Sequence, residues 1–122
     1  MTERPHKNDD LWYALENNPP SMFKPDDVID IVAEVPGAND EFDWWWVLEM
    51  TDGRFFLLSG GCDYTGWDCQ SDITEHGYFE NAEAAARAAP TVEEYSKRDI
   101  QNNLYRQVVG EQPLFLYVEQ EL

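Results

Sequence analysis

The chain has 122 residues and a formal net charge of −17, with 25 acidic residues against eight Lys and Arg. This length predicts a single domain over residues 1–122. Aromatic residues make up 14% of the chain, which is enough to build a core, so we do not expect the body of the chain to be disordered. The sequence contains no apolar run of transmembrane length and its first ten residues lack the apolar core of a signal peptide, so we predict a cytoplasmic protein that binds no membrane.

The negative charge is concentrated in the middle of the chain. Residues 25–86 contain fifteen Asp and Glu and a single base, Arg54. Crowded carboxylates repel one another and oppose the compact state, so this excess either serves only solubility or creates a field for a basic partner. The same field disfavours direct binding to the backbone of a nucleic acid.

Two helices are predicted before the first clear strands. Residues 1–8 are expected to be a flexible tail, and Asp9 and Asp10 can cap a short helix over LWYALENN that ends before Pro19 and Pro20. A second helix is predicted over KPDDVIDIVAEVPG because its apolar residues follow the spacing i, i+3, i+4, i+7. These residues are Val28, Ile31, Val32 and Val35. Since all four are β-branched, a strand remains the alternative.

The sequence DWWWVLEMTDGRFFLLSGG predicts a β-hairpin. Asp52-Gly53 between two apolar runs is a strong signal for a two-residue turn. That turn would place Met50 opposite Phe55 and Trp46 opposite Ser59. Both faces of the hairpin are largely apolar, so we expect both to be at least partly covered.

The next segment, GGCDYTGWDCQSD, is nearly palindromic and predicts a second hairpin. With Thr65-Gly66 as its turn, Asp63 would lie opposite Asp68 and Cys62 opposite Cys69. Two facing carboxylates repel, and a bound cation, a shared proton or a wider turn would relieve the repulsion. The wider turn, in which each Asp accepts backbone N–H bonds, is the usual role of Asp in loops.

This segment also offers the alternative to a binding function, namely a metal-binding protein or enzyme with its site between Cys62 and His76. Its oxygen ligands would be Asp63, Asp68 and Asp72, although their spacing matches no EF-hand loop. The six residues between the cysteines disfavour zinc, and a reducing cytosol disfavours a disulfide. A Cys nucleophile with His76 as its base is disfavoured because neighbouring acids raise the pKa of a thiol.

The C-terminal third is predicted to contain two helices and a strand. Asn81 can cap an Ala-rich helix that Pro90 ends. Thr91, with Glu94 three residues later, forms a capping box for a helix that runs to Gly110. Residues 112–122 are predicted to be a final strand or an extended segment.

Residues 43–71, DWWWVLEMTDGRFFLLSGGCDYTGWDCQS, resemble a group of small proteins from bacteria and their phages. Those proteins share a DGR hairpin, preceded by a helix with a Pro-Gly-like stop and followed by a CDYTGWDC loop. The resemblance extends over roughly Asp26 to Ala89. It implies a shared fold and a bacterial host cell with a phage or mobile-element context, without implying an activity. The long acidic excess of this chain is not part of the shared pattern.

We therefore expect an α+β domain in which two consecutive hairpins form a small antiparallel sheet and the flanking helices cover one of its faces. The expected function is that of a non-enzymatic acidic protein, without a cofactor, that binds a basic surface on a nuclease or a nucleic-acid-binding complex. A phage anti-defence protein that mimics nucleic acid, such as an anti-CRISPR inhibitor, and an immunity protein against a nuclease both fit. We expect the candidate partner-binding acids to form one contiguous exposed patch; they are Asp26, Asp27, Asp30, Glu34, Asp40, Glu41 and Asp43. Tyr64 and Trp67 either fold back over the sheet or form an exposed aromatic pair for the partner.

Overall fold

A computed structural model describes residues 9–92 and 98–110 of the chain. The predicted flexible tail, the Glu94 side of the predicted capping box and the final strand predicted over 112–122 lie outside the described residues. The helices are α1 (Asp9–Asn17), α2 (Ala82–Arg87) and α3 (Ile100–Val109). The strands are β1 (Val28–Val35), β2 (Trp44–Met50), β3 (Phe55–Cys62) and β4 (Ser71–Phe79), and a 3-10 turn (Pro25–Asp27) precedes β1.

The four strands form one antiparallel sheet in the order β1-β2-β3-β4. Each strand therefore pairs with the next one along the chain, and the predicted α+β class with its two hairpins, β2–β3 and β3–β4, is confirmed. The caps predicted for the later helices are also found, in part. The side chain of Asn81 accepts a hydrogen bond from Ala84 N at the start of α2, and Gly110 ends α3 in the left-handed conformation. The described helix α3 begins at Ile100, and its N-cap is Asp99 rather than the predicted Thr91.

Strand β1 lies within residues 24–37, so the helix predicted there is wrong and the alternative, a strand, is found. Two register shifts, between Val28 and Asp30 and between Ile31 and Ala33, interrupt the regular alternation of its side chains. Val28 and Ile31 consequently contact the core on one face of the sheet, whereas Ala33 and Val35 contact the core on the other. The irregular strand thus produces a spacing of apolar residues that imitates helical periodicity.

The β2–β3 hairpin forms as predicted but with its register displaced by one residue. Its loop has three residues, because Met50 N donates to the Arg54 carbonyl (2.9 Å) and Gly53 N donates to the Met50 carbonyl (3.0 Å). Gly53 adopts a φ of 90°, as the last position of such a loop requires. Trp46 therefore lies opposite Leu58 rather than Ser59.

Each face of the sheet has its own apolar core, so the expectation that helices cover only one face is wrong, whereas the expected cover on both faces is confirmed. The α1 face carries α1 and the side chains of Trp44, Trp46, Leu48, Phe56 and Leu58. The α2–α3 face carries α2, α3 and the side chains of Trp45, Val47 and Leu57. The alternation of side chains along β2 sends consecutive tryptophans to opposite cores, which accounts for the apolar character of the whole strand.

Candidate functional site: an acidic cleft at one end of the sheet

The predicted partner-binding acids are divided between the two ends of the sheet. Asp26 and Asp27 lie in the 3-10 turn before β1, beside the hairpin loop, where Thr51 N donates to the Asp27 carbonyl (2.9 Å). Residues 40–43 follow β1, whose eight residues span roughly 23 Å. The seven predicted acids therefore do not form one contiguous patch, which corrects that part of the prediction.

The two predicted acids on β1 bond within the fold. Asp30 is exposed, and its Oδ1 accepts a hydrogen bond from Ile31 N (2.9 Å). Glu34 Oε2 accepts a hydrogen bond from Nε1 of Trp46 (3.1 Å), a residue with no exposed surface. Because a buried indole N–H needs an acceptor, Glu34 supplies the hydrogen-bond acceptor for Trp46 in the core of the α1 face.

The β1–β2 loop has a defined conformation. Ala38 pairs with Phe42 across a short bridge, and Asp40 adopts a φ of 63°, which Asp tolerates better than most residues. Asp40 N donates to the carbonyl of Cys62 at the end of β3 (2.7 Å). The guanidinium of Arg98 bonds to the Pro36 carbonyl (2.6 Å) and the Asp43 carbonyl (2.7 Å), and thus joins the two ends of the loop.

This loop and the facing ends of β3 and β4 enclose a cleft of about 400 Å³. The cleft contains acids from three separate segments, because β3 pairs Gly61 with Asp72 and the loop lies beside Gly61. We call it the acidic cleft; its carboxylates belong to Asp40, Glu41, Asp43, Asp63 and Asp72. The sequence predicted the first three for a partner and the last two for a metal. Only the strand register unites them.

No Lys or Arg is among the described residues that line the acidic cleft. Among the described residues, Arg54 contacts Asp52 (2.8 Å) and Arg87 contacts Glu83 (3.2 Å), and neither pair contributes to the lining. The Arg98 guanidinium lies beside the cleft, bonded to the Asp43 carbonyl and 4.7 Å from the centroid of the Phe42 ring, and it offsets part of the negative charge. Five carboxylates beside one guanidinium leave the described part of the cleft with an excess of negative charge.

The loop between β3 and β4 is a wide turn rather than a tight hairpin. Asp63 Oδ1 accepts bonds from Thr65 N (2.9 Å) and from the Thr65 hydroxyl, and these bonds lower the pKa of Asp63. Asp63 N donates to the Gln70 carbonyl (3.0 Å), which closes the loop. The role of Asp63 in serving the backbone is thus confirmed, whereas the predicted turn register is wrong: Cys62 lies opposite Ser71 rather than Cys69.

Trp67 and Tyr64 have different environments. Trp67 is 7% exposed; its ring packs against Trp44 at a centroid distance of 5.1 Å, and its Nε1 donates to Asp10 of α1 (3.0 Å). Gly60 lies beneath this ring, with the position of a Cβ 3.5 Å from it. Trp67 therefore folds back over the sheet, as one of the two predicted alternatives has it, and does not form an exposed pair with Tyr64. Tyr64 is 78% exposed and stays a candidate contact residue.

The metal site considered for Asp63, Asp68 and Asp72 is not assembled. Within residues 9–92 and 98–110, no three His, Cys, Asp or Glu side chains come together in a way that could hold a metal ion. Asp63 and Asp72 line the acidic cleft, whereas Asp68 lies outside its lining. The wide turn removes the facing carboxylates that motivated a cation.

The thiol site with His76 as its base, which the sequence disfavours, is not assembled either. Cys62 packs against the core of the α1 face, whereas His76 stacks on Trp45 of the α2–α3 face. Burial, together with the charges of Asp10 and Asp63, raises the pKa of Cys62. The predicted direction of that shift is confirmed, and the raised pKa keeps the thiol protonated and a poor nucleophile.

Ser59 and His76 form a contact that the sequence did not predict. The Ser59 hydroxyl and His76 Nε2 share a hydrogen bond of 2.9 Å, and the imidazole stacks on the Trp45 ring at a centroid distance of 4.9 Å. Burial lowers the pKa of His76. Ser59 is only 3% exposed, so a substrate could not reach its hydroxyl, and the pair satisfies a buried polar group. Only the true hairpin register places Ser59 opposite Trp45.

No protein-family model, curated protein or solved structure matches this chain. The resemblance to small bacterial and phage proteins therefore stays a prediction, and a functional argument depends on the geometry. In the described parts of the chain, none of the helices has both the length and the apolar character needed to cross a membrane.

Proposed function

We propose that the protein is a non-enzymatic interaction protein whose acidic cleft binds a basic surface of a partner protein. The observation that supports the proposal is the convergence of five carboxylates on one concave surface whose described lining contains no basic residue. A surface that only confers solubility needs no such convergence, because carboxylates spread over a convex face repel one another less.

The proposed partner carries a basic site that normally binds phosphates. Carboxylates held at the rim of a cleft can occupy such a site in place of a nucleic acid and exclude it. This chemistry fits a phage inhibitor of a host nuclease or CRISPR-type complex, and it fits an immunity protein against a basic nuclease toxin equally well. In both cases charge complementarity accelerates association more than it adds affinity.

The fold supports the proposal by fixing the carboxylates in place. Arg98 joins the two ends of the β1–β2 loop, and Asp40 N is bonded to the Cys62 carbonyl, so the loop is tied to the segment just before α3 and to β3. A preorganised charge pattern loses less conformational entropy on binding than a flexible acidic segment does. The acidic cleft is thus better suited to specific recognition than an acidic tail of equal charge.

The experiment is an affinity capture from bacterial host lysate at low and at high salt, with identification of the retained protein. The variant Asp40→Asn/Glu41→Gln/Asp72→Asn removes three cleft charges, and the matched variant Asp26→Asn/Asp30→Asn/Glu80→Gln removes three exposed charges elsewhere. We expect a partner that wild type and the matched variant retain at low salt, that the cleft variant loses, and that duplex DNA displaces.

Two outcomes would contradict the proposal. In the first, the captured partner is retained equally by wild type and the cleft variant. In the second, no captured protein responds to salt or competes with DNA, in which case acidity serves solubility alone. Circular dichroism and thermal unfolding of both variants would establish that they fold.

A further inference from the structure

A second concave surface, separate from the acidic cleft, lies between α1 and the β3–β4 loop. Its volume is about 410 Å³, within the range of roughly 300–1,000 Å³ that ligand sites occupy. We call it the aromatic groove; it is lined by Tyr13, Glu16, Asn17, Trp67 and Asp68. None of these residues belongs to the lining of the acidic cleft.

The groove follows from the sequence of α1. Residues 13, 16 and 17 are spaced i, i+3 and i+4, so they share the outward face of the helix, while Leu11 and Leu15 pack into the core. Tyr13 is 52% exposed, so about half of its surface is available to a ligand. Opposite it, Trp67 is held by its bond to Asp10 and by its ring contact with Trp44.

The groove combines aromatic surface with negative charge. Tyr13 supplies most of the exposed ring surface, because Trp67 is only 7% exposed. Glu16 and Asp68 supply exposed carboxylates, and no base is among the described residues of this lining. The carboxylates repel a phosphate, and a neutral apolar ligand would leave them without counterions. A cation with a flat apolar face satisfies both features at once.

We infer that the aromatic groove receives an arginine side chain of the basic partner. A guanidinium is planar, stacks on aromatic rings and donates to two carboxylates in a fixed fork, whereas the ammonium of lysine is a strongly hydrated point charge. The inference rests on the proposed function for its partner and adds a second, shape-dependent contact. The acidic cleft would attract the partner and the groove would anchor it.

The test is a titration of the isotope-labelled full chain with N-acetyl-arginine N-methylamide, followed by NMR. The lysine analogue and the neutral citrulline analogue are run in parallel. We expect saturable shifts at the Trp67 indole N–H and at the amides of α1 and Asp68, with arginine strongest and citrulline without effect. Tyr13→Ala and Asp68→Asn should each weaken binding by about threefold or more, whereas Met22→Ala, a change at an exposed apolar residue outside both linings, should not.

The inference is overturned if citrulline binds as well as arginine or if the shifts map to the acidic cleft. It also fails if the partner captured by wild type is lost by the cleft variant but binds Tyr13→Ala with unchanged affinity. That last result would leave the proposed function intact. Conversely, a partner indifferent to the cleft variant defeats the proposed function, while arginine binding in the groove would still be measured independently.

Discussion

At the scale of single residues, some polar side chains of this acidic protein form hydrogen bonds inside the fold and do not face solvent. His76 is the clearest case because its imidazole both bonds to buried Ser59 and stacks on Trp45. The Trp45 indole N–H has no acceptor among the described residues, so the contacts of this ring are apolar and stacking in nature. An uncharged imidazole suits this environment, in agreement with the lowered pKa of His76.

The lowered pKa predicts a pH dependence of stability. The unfolded chain binds the His76 proton more tightly than the folded protein does. The stabilisation is therefore present above the unfolded pKa of about 6.5 and is lost as the pH falls from there through the lower pKa of the folded state. We expect wild type to lose more unfolding free energy between about pH 7.5 and 5.5 than His76→Gln does. Urea denaturation at both pH values measures the difference.

The comparison of two proteins removes the contribution of the carboxylates, which both share. The lowered pKa values of Asp52, Asp63 and Glu75 place their own losses of stability at a more acidic pH. Equal losses in wild type and His76→Gln would show that the imidazole is not penalised by its surroundings.

At the scale of elements, α3 protects the β1 edge of the sheet. The Gln107 side chain accepts from Glu34 N (2.9 Å) and donates to the Glu34 carbonyl (2.8 Å), so its amide takes the place of a neighbouring strand. Strand β1 is an edge strand, and unpaired edge groups invite association with other chains. The helix thus satisfies this edge at Glu34.

Loss of that contact should be local. We expect Gln107→Ala to accelerate hydrogen exchange of the Glu34 amide by about five- to thirtyfold, which corresponds to the loss of about 1–2 kcal/mol of local protection. Exchange at Val47, in the centre of the sheet, should change much less. Native-state hydrogen exchange followed by NMR measures both amides. Val109→Ala, an exposed change in the same helix, is the control, and an equal effect at Glu34 would contradict the role of Gln107.

The elements also show what the sequence could and could not predict. The hairpins, the Asn81 cap and the Gly110 stop depend on local chemistry, and local signals predicted them. Strand β1 was missed because its two register shifts are imposed by pairing with β2, which no local pattern reveals. The wide turn between β3 and β4 was predicted from its aspartates, whereas the register that places Cys62 opposite Ser71 was not, since no local pattern determines it.

The site was predictable only in part, for the same reason. The sequence identified Asp40, Glu41 and Asp43 as neighbours and candidate contacts, but nothing local predicted that Asp63 and Asp72 would join them. The aromatic groove was also not predicted, since it depends on how α1 packs beside the β3–β4 loop. Strand register and tertiary packing, rather than composition, determine which of the many acids lie together.

At the scale of the whole molecule, the net charge of −17 opposes the folded state. Raising NaCl from about 0.01 to 0.15 M shortens the screening length from roughly 30 to 8 Å. We therefore expect the melting temperature to rise over this range, and to rise less in Asp40→Asn/Glu41→Gln/Asp72→Asn, which has lost three of the repelling charges. Differential scanning calorimetry measures how steeply the melting temperature rises with NaCl in wild type and in the variant. An identical rise in the two proteins would show that the cleft carboxylates contribute no repulsion.

The position of Arg98 has a consequence for the order in which the molecule takes shape. Its guanidinium joins the carbonyl groups of Pro36 and Asp43, and it follows Pro36 by 62 residues in the chain. During translation, the residues on either side of the β1–β2 loop leave the ribosome well before this arginine is synthesised. The contacts that join the ends of the β1–β2 loop can therefore form only after Arg98 has been synthesised, and a chain that terminates before residue 98 lacks them.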